Sequence, residues 1–239
     1  MRPTTRTETL SVAYDSWHRQ HSADLELDPH AAAFFHWVLD LAEAAPGTRL
    51  LDVACGSGAF LGCALDRGVD VVGIDVAPAA IELAARRVPG VELHVGDAEN
   101  LPFDDSSFGL VTCLGSLEHF PSPERGAAEI ARVVRPDGRA IVFVPNLFFL
   151  GHIWFGLRHG VQPSEGEQDF SESFRTSQGW RSLLERAGLV VERWEPWNTI
   201  HASQKVGPGA MRLWNAVSRF VPRHGAYAFA YVCSKQAVS

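Results

Sequence analysis

The sequence predicts an α/β fold: a mostly parallel seven-stranded sheet with helices on both faces and an antiparallel C-terminal strand. From about residue 48, short apolar runs alternate with helical segments, which is typical of parallel strands joined by helical crossovers. The apolar runs are near-continuous, as in strands that are buried on both faces. After residue 176 the order becomes helix, strand, strand, and the last two strands are predicted to pair antiparallel.

A single domain is expected over residues 1–239, with residues 1–45 as an N-terminal helical cap. The clearest helix of the cap reads AAAFFHWVLDLAEAA, and Pro46 with Gly47 ends it. The first five strands are predicted in RLLDVAC, VDVVGID, VELHVGD, SFGLVTCL and GRAIVFVP, the last after the turn Pro136-Asp137-Gly138. The helices between them are predicted in GAFLGCALDRG, APAAIELAARRV and SPERGAAEIARVV.

Two segments interrupt the alternation, residues 146–176 and 197–225, and both are interpreted as insertions that form a lid over an acceptor. The first begins with an apolar cluster that contains Phe149 and Trp154. Because it follows the fifth strand, it is expected over the carboxyl edge of the sheet; a dimer contact or ordinary core is the alternative. The C-terminal elements are TSQGWRSLLERAG, a helix with Thr176 or Ser177 as N-cap, and the strands LVVERWEPW and GAYAFAYVCSK.

Composition argues against several classes of protein. The formal net charge of −7 lacks the basic footprint of a general nucleic-acid or anionic-membrane binder. The most apolar stretch, Ile141–Leu157, is interrupted by Pro145, so stable membrane insertion is not expected. The N-terminus shows no apolar leader, and the four cysteines form no C-x-x-C pair, which predicts a cytoplasmic chain with reduced thiols. The oligomeric state stays open, and a homodimer is compatible with the sequence.

The stretch LLDVACGSGAF points to a ligand site, because an acid and then a run of small residues follow a buried strand. Small residues let a ligand approach the backbone, and the next helix directs its N-terminus there. Asp75 follows Asp52 by 23 residues and ends the second strand, where nucleotide-binding sheets place the acid that accepts from ribose hydroxyls. Asp97 follows the third strand. The three acids therefore converge on one edge of the sheet.

That acidity favours a ligand other than a phosphate. The loop has no G-K-[ST] of a P-loop, and G-x-G-x-x-G is matched only weakly, with Ala54 and Ala59 at the outer glycines. An esterase elbow around Ser57 fails, because Cys55 and Ala59 stand at its glycine positions. A cationic nucleoside fits the acids better.

Five stretches in order, LLDVACGSGAF, VVGIDVAPAAIELAARRV, VELHVGDAENLPFDDSSFGLV, SLEHF and EIARVVRPDGRAIVFVPN, resemble the motifs of class I S-adenosylmethionine-dependent methyltransferases. The resemblance covers about residues 48–146 and is closest to the small-molecule branch of ubiquinone and menaquinone biosynthesis. It implies a Rossmann-like methyltransferase fold and S-adenosylmethionine as cofactor. The family's G-x-G-x-G loop is here Ala54-x-Gly56-x-Gly58, so Ala54 departs from the pattern.

The resemblance also implies roles for individual residues. Asp52 would lie under the methionine end of the cofactor, and Gly56 and Gly58 along the methionine and ribose. Asp75 would hold the ribose hydroxyls. The remaining implied contacts are Val76, Asp97 and Ala98 at the adenine, the Leu114 carbonyl at the methionine amino group, and Tyr14 folded over the cofactor. Strand-end capping by Asp52 and Asp97, core packing by Val76 and helix packing by Tyr14 are the simpler alternatives.

The stretch SLEHF places Glu118 and His119 beside the fourth strand, and His119 is the candidate general base. Packing at a helix start is its alternative role. Some quinone O-methyltransferases bind a metal through E-x-x-E-H here, but Gly115 stands at the first glutamate position, so no metal is predicted. Other histidines that could line an acceptor pocket are His18, His21 and His201.

The function predicted from these features is methyl transfer from S-adenosylmethionine to the O, N or C atom of a small, largely apolar acceptor. Three alternatives remain at this point. One is an NAD-dependent oxidoreductase on a related sheet, which the loop and the antiparallel tail disfavour. The others are a non-catalytic S-adenosylmethionine-binding protein and an RNA methyltransferase, for which the basic surface and an N-P-P-Y-like motif are missing.

Overall fold

A computed structural model describes residues 6–20, 27–149, 153, 173–198 and 220–236. Trp154, His21 and His201 lie outside these residues, so their predicted roles are not addressed here. The helices are α1 (Arg6–Gln20), α2 (Pro29–Leu41), α3 (Ala59–Asp66), α4 (Pro78–Arg87), α5 (Pro123–Val133) and α6 (Ser177–Arg186). The strands are β1 (Arg49–Val53), β2 (Asp70–Asp75), β3 (Glu92–Val95), β4 (Phe108–Leu114), β5 (Val134–Pro145), β6 (Leu189–Trp197) and β7 (Ala228–Lys235).

The strands form one seven-stranded sheet in the order β3-β2-β1-β4-β5-β7-β6. The pairs among β1 to β5 are parallel, and β7 pairs antiparallel with both β5 and β6. This confirms the predicted fold class. The order reverses at β1 and β4, which is the point where ligands bind outside the carboxyl ends of such strands.

Helices cover both faces of the sheet, so the strands are buried on both sides. On one face, α5 and α6 pack on strand residues such as Val111 and Val142, with Trp180 of α6 fully buried. On the other face, α2 and α3 pack on strand residues such as Leu110 and Ile141. Two cores on opposite faces explain why the central strands read as uninterrupted apolar runs.

Local sequence signals set most helix ends. Pro78 occupies the first turn of α4, where its missing N–H costs no hydrogen bond. Thr176 is the N-cap of α6, because its Oγ1 accepts a hydrogen bond from the amide of Gly179 at 3.0 Å. Gly68 closes α3 with a φ of +76°, in the left-handed region that favours glycine.

Strand β5 begins at Val134, before the predicted turn rather than after it. Residues Pro136-Asp137-Gly138 lie within the strand, at an irregularity where Val134 pairs with Phe108 and Arg139 with Leu110. A Cβ on Gly138 would lie 2.8 Å from the carbonyl oxygen of Gly109. The turn-forming residues therefore form a bulge here, since two backbones approach too closely for a side chain.

The two N-terminal helices are held in different ways. Helix α2 buries Phe34, Val38 and Leu39 against the sheet. In contrast, none of residues 7–20 of α1 is buried.

Across the part of the chain that the structure describes, no helix is long and apolar enough to cross a membrane.

Gly73 of β2 offers a test of how tightly the sheet packs near the edge. A Cβ there would meet Leu61 Cδ1 and Leu93 Cδ2 at 2.8 Å and Cys55 Sγ at 2.9 Å. We expect Gly73→Ala to lower the free energy of unfolding by about 1–3 kcal/mol, the usual cost of overpacking a well-packed core. Urea-induced unfolding followed by circular dichroism measures this.

Gly62→Ala is the matched control, because Gly62 is inside α3 and its nearest neighbour to an added Cβ is 3.8 Å away. It should raise the free energy of unfolding by about 0.5–1 kcal/mol through helix propensity. Equal effects of the two substitutions would contradict the packing argument.

Candidate functional site

The turns after β1, β2, β3 and β4 and helix α1 enclose a cavity of about 240 Å³ at the carboxyl edge of the sheet. Nine of the candidate site residues from the sequence line it: Tyr14, His18, Ala54, Gly56, Asp75, Val76, Asp97, Ala98 and His119. Asp52, Gly58 and Leu114 are not among its described lining residues. Convergence of these positions follows from the parallel sheet, which brings successive strand ends to one edge.

The turn after β1 has a left-handed backbone at three positions: Ala54 at φ +59°, Gly56 at +53° and Gly58 at +73°. Glycine adopts this conformation freely, whereas alanine pays a steric cost of about 1–2 kcal/mol. Gly58 packs against α4, since a Cβ there would lie 3.0 Å from the Cβ of Ala84. Ala54 and Gly56 present their backbone to the cavity, and Gly58 lets the turn approach α4.

Asp75 connects the first two turns. Its carboxylate accepts a hydrogen bond from the Gly56 amide and another from the Ala77 amide, both at 2.9 Å. The side chain is buried, and burial raises its pKa although the two amides and the charge of His18 oppose that shift. A carboxylate held by two amides keeps lone pairs for a further donor in the cavity.

Asp52 is buried behind the cavity wall rather than exposed to it. Its Oδ1 accepts a hydrogen bond from Thr112 Oγ1 at 2.6 Å across β1 and β4. Burial raises the pKa of Asp52 to about 7, and the negative charge of Asp75 adds to that shift while the Thr112 bond opposes it. Asp52 therefore links β1 to β4 just before the first turn.

Asp97 terminates its own turn by accepting from the Glu99 amide at 2.9 Å, which matches the capping role predicted as an alternative. Its other oxygen accepts from Thr7 Oγ1 of α1 at 3.3 Å. Val76 and Ala98 lie beside it on the cavity wall. The adenine contacts implied by the resemblance thus occupy adjacent positions on the turns after β2 and β3.

Helix α1 covers the cavity through side chains that the sequence did not single out. Ser11 Oγ donates to the Val76 carbonyl at 2.8 Å, and Asp15 Oδ1 accepts from the Ala79 amide at 2.7 Å at the start of α4. Arg19 and the Ala79 amide hold the pKa of Asp15 below its ordinary value. The cavity lining missed by sequence analysis is Thr7, Leu10, Trp17, Ile74, Gly96, Glu99, Ser116, Phe120 and Pro121.

The turn after β4 supplies the third wall. His119 is half-buried in a short 3₁₀ turn, and burial lowers its pKa to about 4, so the imidazole is neutral at pH 7. The ring of Tyr14 lies edge-on to it, with centroids 6.2 Å apart. The Leu114 carbonyl accepts a long hydrogen bond of 3.5 Å from Ser116 Oγ. Glu118 is buried next to His119.

Phe149, at the start of the predicted lid, is buried and packs edge-on against Tyr227 with ring centroids 5.2 Å apart. Asn146 fixes this corner by donating to the carbonyls of His224 and Ala226, both at 2.8 Å. Phe149 does not line the cavity. Within the described residues, no group of three or more histidine, cysteine, aspartate or glutamate side chains is placed to hold a metal ion.

The strand order is that of a Rossmann-like methyltransferase fold. Residues 51–142 match the family model described as a methyltransferase domain. In structure the chain is similar to a chain of the complex that contains the Trm112 methyltransferase activator of Haloferax volcanii, with a TM-score of 0.70 and 20% identity over 94% of this chain and 98% of that one.

Two curated relatives are similar to part of the chain. The chain is 39% identical to the demethylmenaquinone methyltransferase of Renibacterium salmoninarum over 105 residues, 44% of either chain. It is 43% identical to the nocamycin O-methyltransferase of Saccharothrix syringae over 110 residues, 43% of this chain and 39% of the relative. The matches thus span less than half of these relatives' length. Residues 51–142 are therefore similar to a methyltransferase domain, and the curated relatives match over a comparable length of the chain.

The raised pKa of Asp52 predicts a specific pH dependence. The folded state holds this proton up to about pH 7 and the unfolded chain only up to about pH 4, so the stabilisation is complete below about pH 4 and is lost as the pH rises through about 7. Asp52→Asn keeps an oxygen for Thr112 and cannot ionise. The free energy of unfolding of this variant, relative to that of the native chain, should rise between about pH 4 and 7 by at most ~4 kcal/mol. Above about pH 7 the difference should stay constant.

Unfolding in urea at pH 5, 6, 7 and 8 measures that difference. Asp66→Asn, at an exposed carboxylate at the end of α3, is the control and should show a difference that does not change with pH. A pH-independent difference for Asp52→Asn as well would contradict the assignment.

Proposed function

We propose that this protein transfers a methyl group from S-adenosylmethionine to a small, largely apolar acceptor. The observation that carries the proposal is a cavity whose wall combines two strand-end acids, Asp75 and Asp97, with the small-residue turn Ala54–Gly56. Glu99 adds a third carboxylate. The names of the relatives, which refer to demethylmenaquinone and nocamycin, support a small-molecule acceptor.

The charge of the cavity supports this cofactor over a dinucleotide. Neither lysine nor arginine is among the described residues that line it, and its three carboxylates would repel a pyrophosphate. A nucleoside that carries a positive sulfonium suits such a wall. The NAD-dependent alternative is therefore disfavoured, and the non-catalytic alternative is decided by assay.

Each turn has a role in this proposal. Asp75 would accept from the ribose hydroxyls with the lone pairs that its two amides leave available. Val76 and Ala98 would enclose the adenine, and Asp97 would accept from its amino group. Ala54, Gly56 and the Leu114 carbonyl would meet the methionine half, while Asp52 and Gly58 hold the turn from behind and Tyr14 covers the site.

The cavity has apolar and aromatic lining side chains, chiefly Leu10, Tyr14, Trp17 and Phe120, and the acceptor would enter beside His119, against which the ring of Tyr14 packs. S-adenosylmethionine itself supplies the reactive methyl group, so the protein mainly positions the acceptor and excludes water. The neutral imidazole of His119 can accept the proton that an O or N acceptor loses. Residues 146–176 and 197–225 remain the proposed acceptor lid.

The first test is binding of S-adenosylhomocysteine, the demethylated product, measured by isothermal calorimetry. We expect the product to bind and NAD not to bind. Asp75→Ala should weaken product binding at least tenfold, because charge-assisted hydrogen bonds are worth about 1.5–3 kcal/mol each. NAD binding without product binding would overturn the proposal.

Asp70→Ala is the control for this variant, since Asp70 lies at the opposite, exposed end of the same strand. Its affinity for the product should equal that of the native chain. Transfer of a labelled methyl group to an apolar metabolite extract then separates an enzyme from a binding protein, because a binding protein labels nothing.

His119 gives the second test. With an acceptor found by that screen, His119→Asn should lower the turnover rate by about 10²–10⁴-fold, the usual contribution of a general base. Binding of the product, measured by calorimetry, should change far less than the rate. His94→Asn, at an imidazole on β3 that does not line the cavity, should keep the native rate. An unchanged rate for His119→Asn would leave His119 with a packing role.

A further inference from the structure

We propose that His18 of α1 binds the carboxylate of the cofactor's methionine half, so that the covering helix carries part of the binding site. The inference rests on the proposed function and goes beyond the motifs of the sheet edge. His18 lines the cavity together with Ala54, Gly56 and Asp75. Its Cε1 is 3.8 Å from the position that a Cβ would take on Gly56.

The argument starts from charge. S-adenosylmethionine carries a carboxylate, and the described wall of the cavity already has Asp75, Asp97 and Glu99. A fourth carboxylate needs a donor of opposite or neutral charge, because like charges at short range in a partly buried site are costly. Arg87, which donates to the Ser57 carbonyl, is not among the described residues that line the cavity. The two histidines are the described lining side chains that can carry a positive charge, so they are the candidates.

The two cavity histidines differ in what they can do. His119 is kept neutral by burial and lies with Tyr14 and Ser116 at the end of β4, where the acceptor is proposed to enter. His18 lies at the turn after β1, beside the backbone that would follow the methionine half. His18 also lowers the pKa of Asp75, which burial raises, so the two side chains are close to each other. His18 is therefore the side chain proposed for the methionine carboxylate.

The position of His18 is fixed by neighbours on the same helix. Asp15, one turn earlier, accepts from the Ala79 amide at 2.7 Å and from Arg19 Nε at 2.9 Å, which ties the end of α1 to the start of α4. The ring of Trp17 packs edge-on to that of His18, with centroids 4.9 Å apart. These contacts place the imidazole before the ligand arrives, which reduces the entropy cost of binding.

The test compares two ligands on three variants by calorimetry. The ligands are S-adenosylhomocysteine and its decarboxylated analogue, which keeps the amine, the thioether and the nucleoside. His18→Ala should weaken the binding of S-adenosylhomocysteine at least tenfold and the binding of the analogue less than twofold. His18→Lys should restore much of the preference for the carboxylate. His30→Ala, at an exposed histidine of α2 outside the cavity, should match the native chain.

Each other result is decisive. Equal weakening of both ligands by His18→Ala, with an unchanged melting temperature, would assign His18 to the nucleoside or to helix packing and overturn the proposal. Unchanged affinity for both would overturn it as well. If the native chain binds neither ligand, the proposed function fails, which is a different outcome from the failure of His18 alone.

Discussion

The cavity depends on one buried carboxylate. Asp75 receives the amide of Gly56 from the first turn and the amide of Ala77 from its own turn, both at 2.9 Å. A buried carboxylate is stable only when such donors surround it. By meeting this need with two turns, the fold sets the distance between the backbone after β1 and the backbone after β2. The left-handed Ala54 and Gly56 follow, because the first turn must bend back to bring its amide to Asp75.

Sequence reasoning was sufficient where a local signal decides the structure. The alternation of apolar runs and helices correctly predicted a mostly parallel sheet. The strand β6 was predicted over residues 189–197, which is where the structure has it. Thr176, one of two candidates, proved to be the N-cap of α6. The predicted start of β5 was wrong. Pro136 and Gly138 are turn-forming residues, but here they form a bulge because this part of β5 pairs with β4. The wrong boundary thus came from a tertiary contact that overrides local propensity.

The same limit explains what was missed in the site. Thr7, Ser11 and Asp15 contact residues that are 64 to 90 positions away along the chain, and no short motif announces such pairs. Asp52 was predicted under the methionine end, and sequence reasoning did not find that its carboxylate accepts a hydrogen bond from Thr112 of the neighbouring strand. Which face of a strand carries an acid follows from register, and register was not available before the fold.

Helices α1 and α2 are attached to the rest of the chain in different ways. Helix α2 is anchored by buried apolar side chains, whereas none of residues 7–20 of α1 is buried and its contacts include hydrogen bonds from Thr7, Ser11 and Asp15. A hydrogen bond contributes about 0.5–1.5 kcal/mol net, so releasing three costs far less than unfolding the sheet. Regions with little buried apolar surface have low free energies of local opening. We therefore expect α1 to separate from the strand-end turns more readily than the sheet edge unfolds, and a ligand contact from His18 would add to the contacts that hold α1.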